Sequence, residues 1–154
     1  MSAPMRLTGV WTEQEIAAFM DAAIIPLRLA LLDDTGDPLV LSLWFLPDEG
    51  SLWCATNRNA RVVRFLERDP RCGFELAADA PPYRGVRGQG LATLHPSAGE
   101  TILRRLLERY AINLASGLAR MLIAKADQEV AIRITPLRLT SWDFSRRMRG
   151  ATDA

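Results

Sequence analysis

The sequence predicts a mainly β domain with interspersed helices, a small antiparallel barrel of the α+β class. Three observations carry that prediction. Apolar runs follow one another across short turn clusters, DDTGDP (Asp33 to Pro38) and PDEG (Pro47 to Gly50), which suit hairpins and leave no room for crossover helices. Gly88 and Gly90 sit inside an alternating run, where a small barrel needs bulges or sharp bends. Helical periodicity then appears in separate segments between the strands, without repeats, low-complexity stretches or a linker.

Taken in order, Thr12 opens a capping box with Glu15, and Ile16, Phe19 and Met20 share a face, so a helix is expected over about Thr12 to Ala23 with Pro26 beyond it. Leu27 to Leu32 and Leu39 to Leu46 read as strands, and Ser51 to Ala55 as a third. A helix follows the polar joint TNRNAR and runs to about Arg68, where Asp69-Pro70 stops it. Arg71 to Ala77 and Val86 to Leu94 are the fourth and fifth strands, separated by the loop ADAPPYRG. Helices are expected from Ala98 to about Tyr110 and around Ser116 to Ala126. Two last strands, Val130 to Thr135 and Leu137 to Phe144, flank Pro136, which makes about seven in all.

The 154 residues suffice for one domain, 1–154, with its core over about 26–144. A net charge of +1 argues against a dedicated nucleic-acid or membrane-surface binder. No secretory signal or bilayer-length apolar run is evident, so a cytoplasmic protein is expected. Of the 19 basic residues all but Lys125 are Arg, a preference that suits bidentate anion binding but also follows from base composition. Cys54 and Cys72 stand in apolar runs with no CxxC, and His95 is the only histidine. Packed thiols, no metal and no catalytic triad are therefore expected.

The segment with most chemistry is LWCATNRNARVVRFLERDPR, from Leu52 to Arg71. A helix N-terminus presents unpaired N–H groups and positive potential, which favours an anion. Here Thr56 adds a hydroxyl, Asn57 and Asn59 amides, and Arg58 and Arg61 guanidinium forks, with Asn59 the expected N-cap of a helix starting at Ala60. Arg61, Arg64 and Arg68 form one stripe of that helix, opposite Val62, Phe65 and Leu66. The stripe alone equally suits a solvated surface face. Trp44, Phe45 and Trp53 on neighbouring strands, Tyr83 and Arg84 in a loop and Trp142 on the last strand are either core mass or walls for a flat ring.

Read together, LSLWFLPDEGSLWCATNRNARVVRFLERDPRCGFEL, PPYRGVRGQGLATL and AIRITPLRLTSWDF resemble the pyridoxamine 5′-phosphate oxidase-like family, which includes flavin- and deazaflavin-binding split-barrel proteins. The likeness covers about Pro26 to Phe144 and is most specific at the LWF strand, the T-x-R-x-x-R joint and the terminal SWDF. It implies an FMN-binding split β-barrel homodimer with the cofactor, FMN or the deazaflavin coenzyme F420, in a cleft between subunits. On that resemblance the backbone near Ser42, Leu43 and Trp44 runs along the ring. Thr56, Arg58 and Arg61 match positions that hold the phosphate, Asn57 joins them as a cofactor-binding candidate from the joint's own residues, and Trp142 lies near the cleft. Ala60 and Val62 depart from the S-x-K or S-R-K pattern common in this joint. The Arg/His pattern that reads pyridoxamine phosphate is not evident in RLTSWDFSRRM, so the vitamin B6 reaction is not the expected activity.

The resemblance implies an oxidoreductase that transfers a hydride to or from a small organic substrate, with no protein side chain assigned a catalytic role. Two alternatives stay open: a non-catalytic dimer that binds flavin or haem for storage or sensing, and a scaffold whose site has decayed.

Overall fold

In a computed structural model, which describes residues 4–151, eight strands and four α-helices follow one another along the chain. They are β1 (Arg6–Gly9), α1 (Glu13–Ala22), β2 (Leu27–Leu32), β3 (Pro38–Leu43), β4 (Leu46–Asp48), β5 (Ser51–Asn57), α2 (Arg61–Arg68), β6 (Arg71–Ala77), β7 (Arg84–His95), α3 (Gly99–Arg109), α4 (Gly117–Ala124) and β8 (Glu129–Asp143). The sheet runs β3-β2-β6-β7-β8-β5-β4, antiparallel throughout, and β1 adds in parallel to β8. β3 and β4 end the path and do not pair, although only Trp44 and Phe45 separate them in the chain. The barrel is therefore split at that point.

Alternation decides what the sheet encloses. Along β2, Leu27, Leu29 and Leu31 are buried while Arg28 and Ala30 face outward. β6 repeats the pattern with Cys72, Phe74 and Leu76 inside. Ile132 and Ile134 from β8 and Val62, Val63, Phe65 and Leu66 from α2 fill the same core. α2 thus plugs one end of the barrel. α3 packs Ile102 and Leu106 against Leu46 and Ala131, a second apolar cluster on the other side of β5 and β8.

Both cysteines are buried and unpaired. Burial pushes both thiols up, Cys72 to about 11, so neither is a thiolate nucleophile at neutral pH.

Several elements differ from their sequence-based expectation, each for a physical reason. The run Leu39 to Leu46 is not one strand, because the chain breaks at Trp44–Phe45, where the Phe45 N–H turns to the Tyr110 hydroxyl at 3.2 Å. The expected turn after it holds: Glu49 and Gly50 both have positive φ, 48° and 75°, as a two-residue hairpin loop requires. The last two expected strands are one. Pro136 lies opposite Gly90 where the β7–β8 register shifts, so the missing proline N–H interrupts no regular ladder. β7 runs from Arg84 to His95, so His95, one residue past the expected end of that strand, closes it. β1 is the eighth strand among the described residues; it is too short to show a pattern and is held by β8.

Asn59 is not the N-cap of α2. The helix starts at Arg61 with Ala60 in the cap position and no side-chain cap bond. The Asn57 side chain instead accepts the Asn59 N–H at 2.9 Å, so the amide two residues earlier organises the joint.

Candidate functional site

A cavity of about 520 Å³ opens at the split of the barrel. It is lined by Ser42 and Leu43 from the end of β3, by Trp44 just beyond it, and by Ala55, Thr56 and Asn57 from the end of β5. Leu103 and Leu106 of α3, Leu122 of α4 and Glu129 at the start of β8 complete the lining with Pro26. Most of the lining is apolar, with Ser42, Thr56, Asn57 and Glu129 as its polar groups. Such a lining suits a flat ring with a few directed hydrogen bonds.

The Trp44 wall is fixed from outside. Tyr110, at the end of α3, stacks on the Trp44 indole with centroids 5.1 Å apart and planes at 19°. Its hydroxyl donates to the Ile25 carbonyl at 2.7 Å and accepts the Phe45 N–H. Burial raises the Tyr110 pKa, so the phenol stays protonated as that geometry needs. Beside it, Arg109 donates to the carbonyls of Met20 and Ala23 at the end of α1 and lies over the Phe45 ring at 5.0 Å. One pair of α3 residues thus ties down the end of α1, the start of β2 and the break at Trp44.

Of the residues expected at the site, Ser42, Leu43, Trp44, Thr56 and Asn57 come together in this cavity. Arg58 does not line it, but follows Asn57 directly and is exposed, with its N–H bonded to the Gln128 carbonyl at 2.8 Å. Arg61 sits one turn on, over the Phe65 ring at 5.3 Å. It faces the β2–β3 turn, where Asp33 is held below the usual carboxylate range chiefly by the Thr35 hydroxyl and least by Arg61. The rest of the arginine stripe is engaged there: Arg64 pairs with the Asp34 carboxylate at 3.4 Å and Arg68 donates to the Asp34 carbonyl at 2.6 Å. Neither Arg58 nor Arg61 forms an ion pair with a described residue.

Trp142 lies elsewhere in the chain. It pairs with Gly85 near the end of β8, whereas Asn57 pairs with Glu129 at the start of that strand. At about 3.3 Å per residue the two ends are separated by roughly 40 Å along the strand. Tyr83 and Arg84 accompany Trp142 at that far end: Tyr83 accepts the Phe144 N–H, and Arg84 pairs with Asp143. A single chain therefore does not wall one slot with both Trp44 and Trp142.

Residues 12–143 match the family model described as pyridoxamine 5′-phosphate oxidase. The chain belongs to that family. No curated protein sequence matches it. Among solved structures it is similar to the conserved hypothetical protein Rv2991 from Mycobacterium tuberculosis, with 28% identity, a TM-score of 0.75 and coverage of 99% of this chain and 96% of the other. It is also similar to an F420 reductase, with 20% identity, a TM-score of 0.71 and coverage of 84% and 98%. HutZ, a haem storage protein from Vibrio cholerae, follows at 17% identity, with a TM-score of 0.62 and coverage of 82% and 91%. The last two likenesses are of fold. Val62 is buried in the core and Ala60 packs against it, so both positions of the joint serve the barrel plug.

Two contributors escaped the sequence reading. Glu129 lines the cavity only because β8 pairs with β5 in a register that sets it beside Asn57. Tyr110 reads as the last apolar residue of a helix face, and nothing local announces its reach to Phe45 and Ile25. Among the described residues there is no cluster of His, Cys, Asp and Glu suited to a metal, and no helix long and apolar enough to cross a membrane.

Proposed function

We propose that the protein is a flavin- or deazaflavin-dependent oxidoreductase that transfers a hydride to or from a small organic substrate, with FMN or F420 as cofactor. The observation that carries this reading is the cavity at the split. It joins an apolar slot to neutral donors at Ser42, Thr56 and Asn57, with the unpaired Arg58 just outside. The residues fit the group in that arrangement. Trp44, Leu103, Leu106 and Leu122 suit a ring, and a phosphate suits the outer rim near Arg58 and Arg61, because no Lys or Arg lines the cavity itself.

When bound, such a cofactor supplies the hydride chemistry. The chain's own residues bind and orient it: the arginines hold negative charge, Thr56 offers a hydroxyl, and α3 and α4 keep water from one face. The second copy that the family resemblance implies would seat on the outer sheet face, where Val40 is 65% exposed and Leu91 and Leu137 stand uncovered nearby. The haem alternative has less support, since the His95 ring lies against Trp53 at 5.3 Å, with its Nε2 bonded to Thr93, and does not line the cavity.

Absorbance titration of the purified protein with FMN and then with F420 tests the reading, with sedimentation of the loaded protein reporting dimer formation. Arg58→Ala and Arg61→Ala are each expected to weaken phosphate-bearing cofactor by roughly ten- to a hundredfold, since a charge-assisted hydrogen bond is worth about 1.5–3 kcal/mol. Neither should shift the unfolding midpoint, because both side chains are exposed. Unchanged affinity in both variants would remove the phosphate from this joint.

A further inference from the structure

Of the four α-helices, α4 is the one the fold holds least. Only Ala119 of its residues is buried, while Leu122 and Ile123 rest partly covered on Leu103, Leu107 and Ala126. Its one polar side chain, Arg120, has no hydrogen bond or ion pair with a described residue, so nothing directional ties the helix to the barrel. Space lies on both of its sides. Leu122 lines the cavity at the split, and Ile123, the next residue, lines a second cavity of about 600 Å³ with Leu107, Ile112 and Leu114. Interiors are otherwise close-packed, so a helix with open volume on either side of one row of apolar contacts has room to shift.

The two ends of α4 are held differently. Upstream, the chain leaves α3 through Ala111 at φ 51° and a turn closed by the Ser116 N–H on the Asn113 carbonyl, and a Cβ on Gly117 would meet nothing within 4 Å. Downstream, Ala126 is buried, and the Gln128 carbonyl accepts the Arg58 N–H at 2.8 Å. The chain is therefore anchored again beside the cavity, and Lys125 is the residue between the loose helix and that anchor.

We propose that α4 is a lid on the cavity at the split, swinging about Lys125 to admit a flat ligand and returning to lay Leu122 against it. The inference rests on the cavity being the ligand site and deepens that reading by naming its moving part. Neither α2 nor α3 could serve, because each buries at least four residues in the core. Opening of α4 uncovers only Ala119 and the partly covered Leu122 and Ile123, which puts it among the low-cost local openings from which lids are drawn. Leu118 and Met121 face solvent already, so they do not oppose the movement.

The test measures distances between spin labels on the full chain, diluted in unlabelled protein so that both labels belong to one chain. Arg120→Cys on α4 is paired with Glu67→Cys on α2, and Thr101→Cys on α3 with the same Glu67→Cys serves as the fixed reference. All three sites are exposed and the native Cys54 and Cys72 are buried, so only the introduced thiols take the label. In the ligand-free protein the α4 distance distribution is expected to be at least roughly twofold wider than the reference, or split in two. Saturation with FMN or F420, followed separately by absorbance, should collapse it to one distance and leave the reference unmoved. If neither cofactor binds and the α4 distribution is still wide, the lid stands and the flavin reading falls. An α4 distribution as narrow as the reference without ligand would overturn the lid, whether the helix is rigid or covered by a second copy. A wide distribution that bound cofactor leaves unchanged would overturn it too, since the helix would then fray without serving the cavity.

Discussion

Helices α2 and α4 have eight residues each and obey opposite rules. α2 buries Val62, Val63, Phe65 and Leu66 and points its arginines outward, the usual division for a helix on a core. α4 buries only Ala119 and leaves Leu118 46% and Met121 53% exposed. Its inner side contributes Leu122 to the cavity wall, and its outer side continues into exposed Leu114. The difference separates two tasks. α2 is consumed by the fold, and with Arg64 and Arg68 taken by Asp34 only Arg61, at its start, is left for the proposed phosphate. α4 contributes little to the barrel and keeps apolar surface that the fold of one chain does not use.

The largest effect should come from attacking the consumed helix. Phe65 is 1% exposed and stands at the centre of the α2 face, so Phe65→Ala should cost about 3–5 kcal/mol, read by urea unfolding. A loss below about 2 kcal/mol would mean that the barrel collapses around the gap, and that α2 is less of a plug than its burial suggests.

That helix was also the most legible part of the sequence, because its stripe repeats within eight residues and Asp69-Pro70 marks its end. The joint before it was legible in composition but not in detail. Thr56 and Asn57 belong to β5, and the capping role read at Asn59 falls to the turn made by Asn57. Both differences arise because β8 extends the β5 ladder to Asn57, a long-range pairing that local propensity does not register. The break at Trp44–Phe45 was illegible for the same reason: LVLSLWFL is an unbroken apolar run, and its interruption depends on Tyr110, 65 positions along from Phe45. The cavity's polar end was half legible. Thr56 and Asn57 were legible in the joint's own residues and Ser42 only through resemblance, while Glu129 required the register of β5 against β8.

Tyr110 provides the second way to sharpen the comparison, since it braces the cavity side rather than the plug. Tyr110→Phe keeps the ring against Trp44 but leaves the Phe45 N–H and Ile25 carbonyl without their shared partner. Unfolding stability should fall by about 1–3 kcal/mol, less than for Phe65→Ala. Cofactor affinity should fall too, because the break at Trp44 loses its anchor. A variant that loses stability with unchanged affinity would show that Trp44 holds its place through stacking alone.

The smallest effect should fall on α4, where the same kind of change that ruins α2 should hardly register. Met121→Ser replaces a side chain that is 53% exposed, so the fold loses little buried area. Its helix-propensity penalty is a few tenths of a kcal/mol. Urea unfolding of the ligand-free protein should therefore move by no more than about 0.5–1 kcal/mol, against several for Phe65→Ala. The direction of solubility matters as much as the midpoint. Removing exposed apolar surface that nothing in the chain covers should lower self-association if that surface is merely bare, and leave the cavity intact because Leu122 is untouched. A stability loss well beyond 1 kcal/mol would show instead that the outer face of α4 is covered in solution, and the contrast between the two helices would then describe a single chain and not its working assembly.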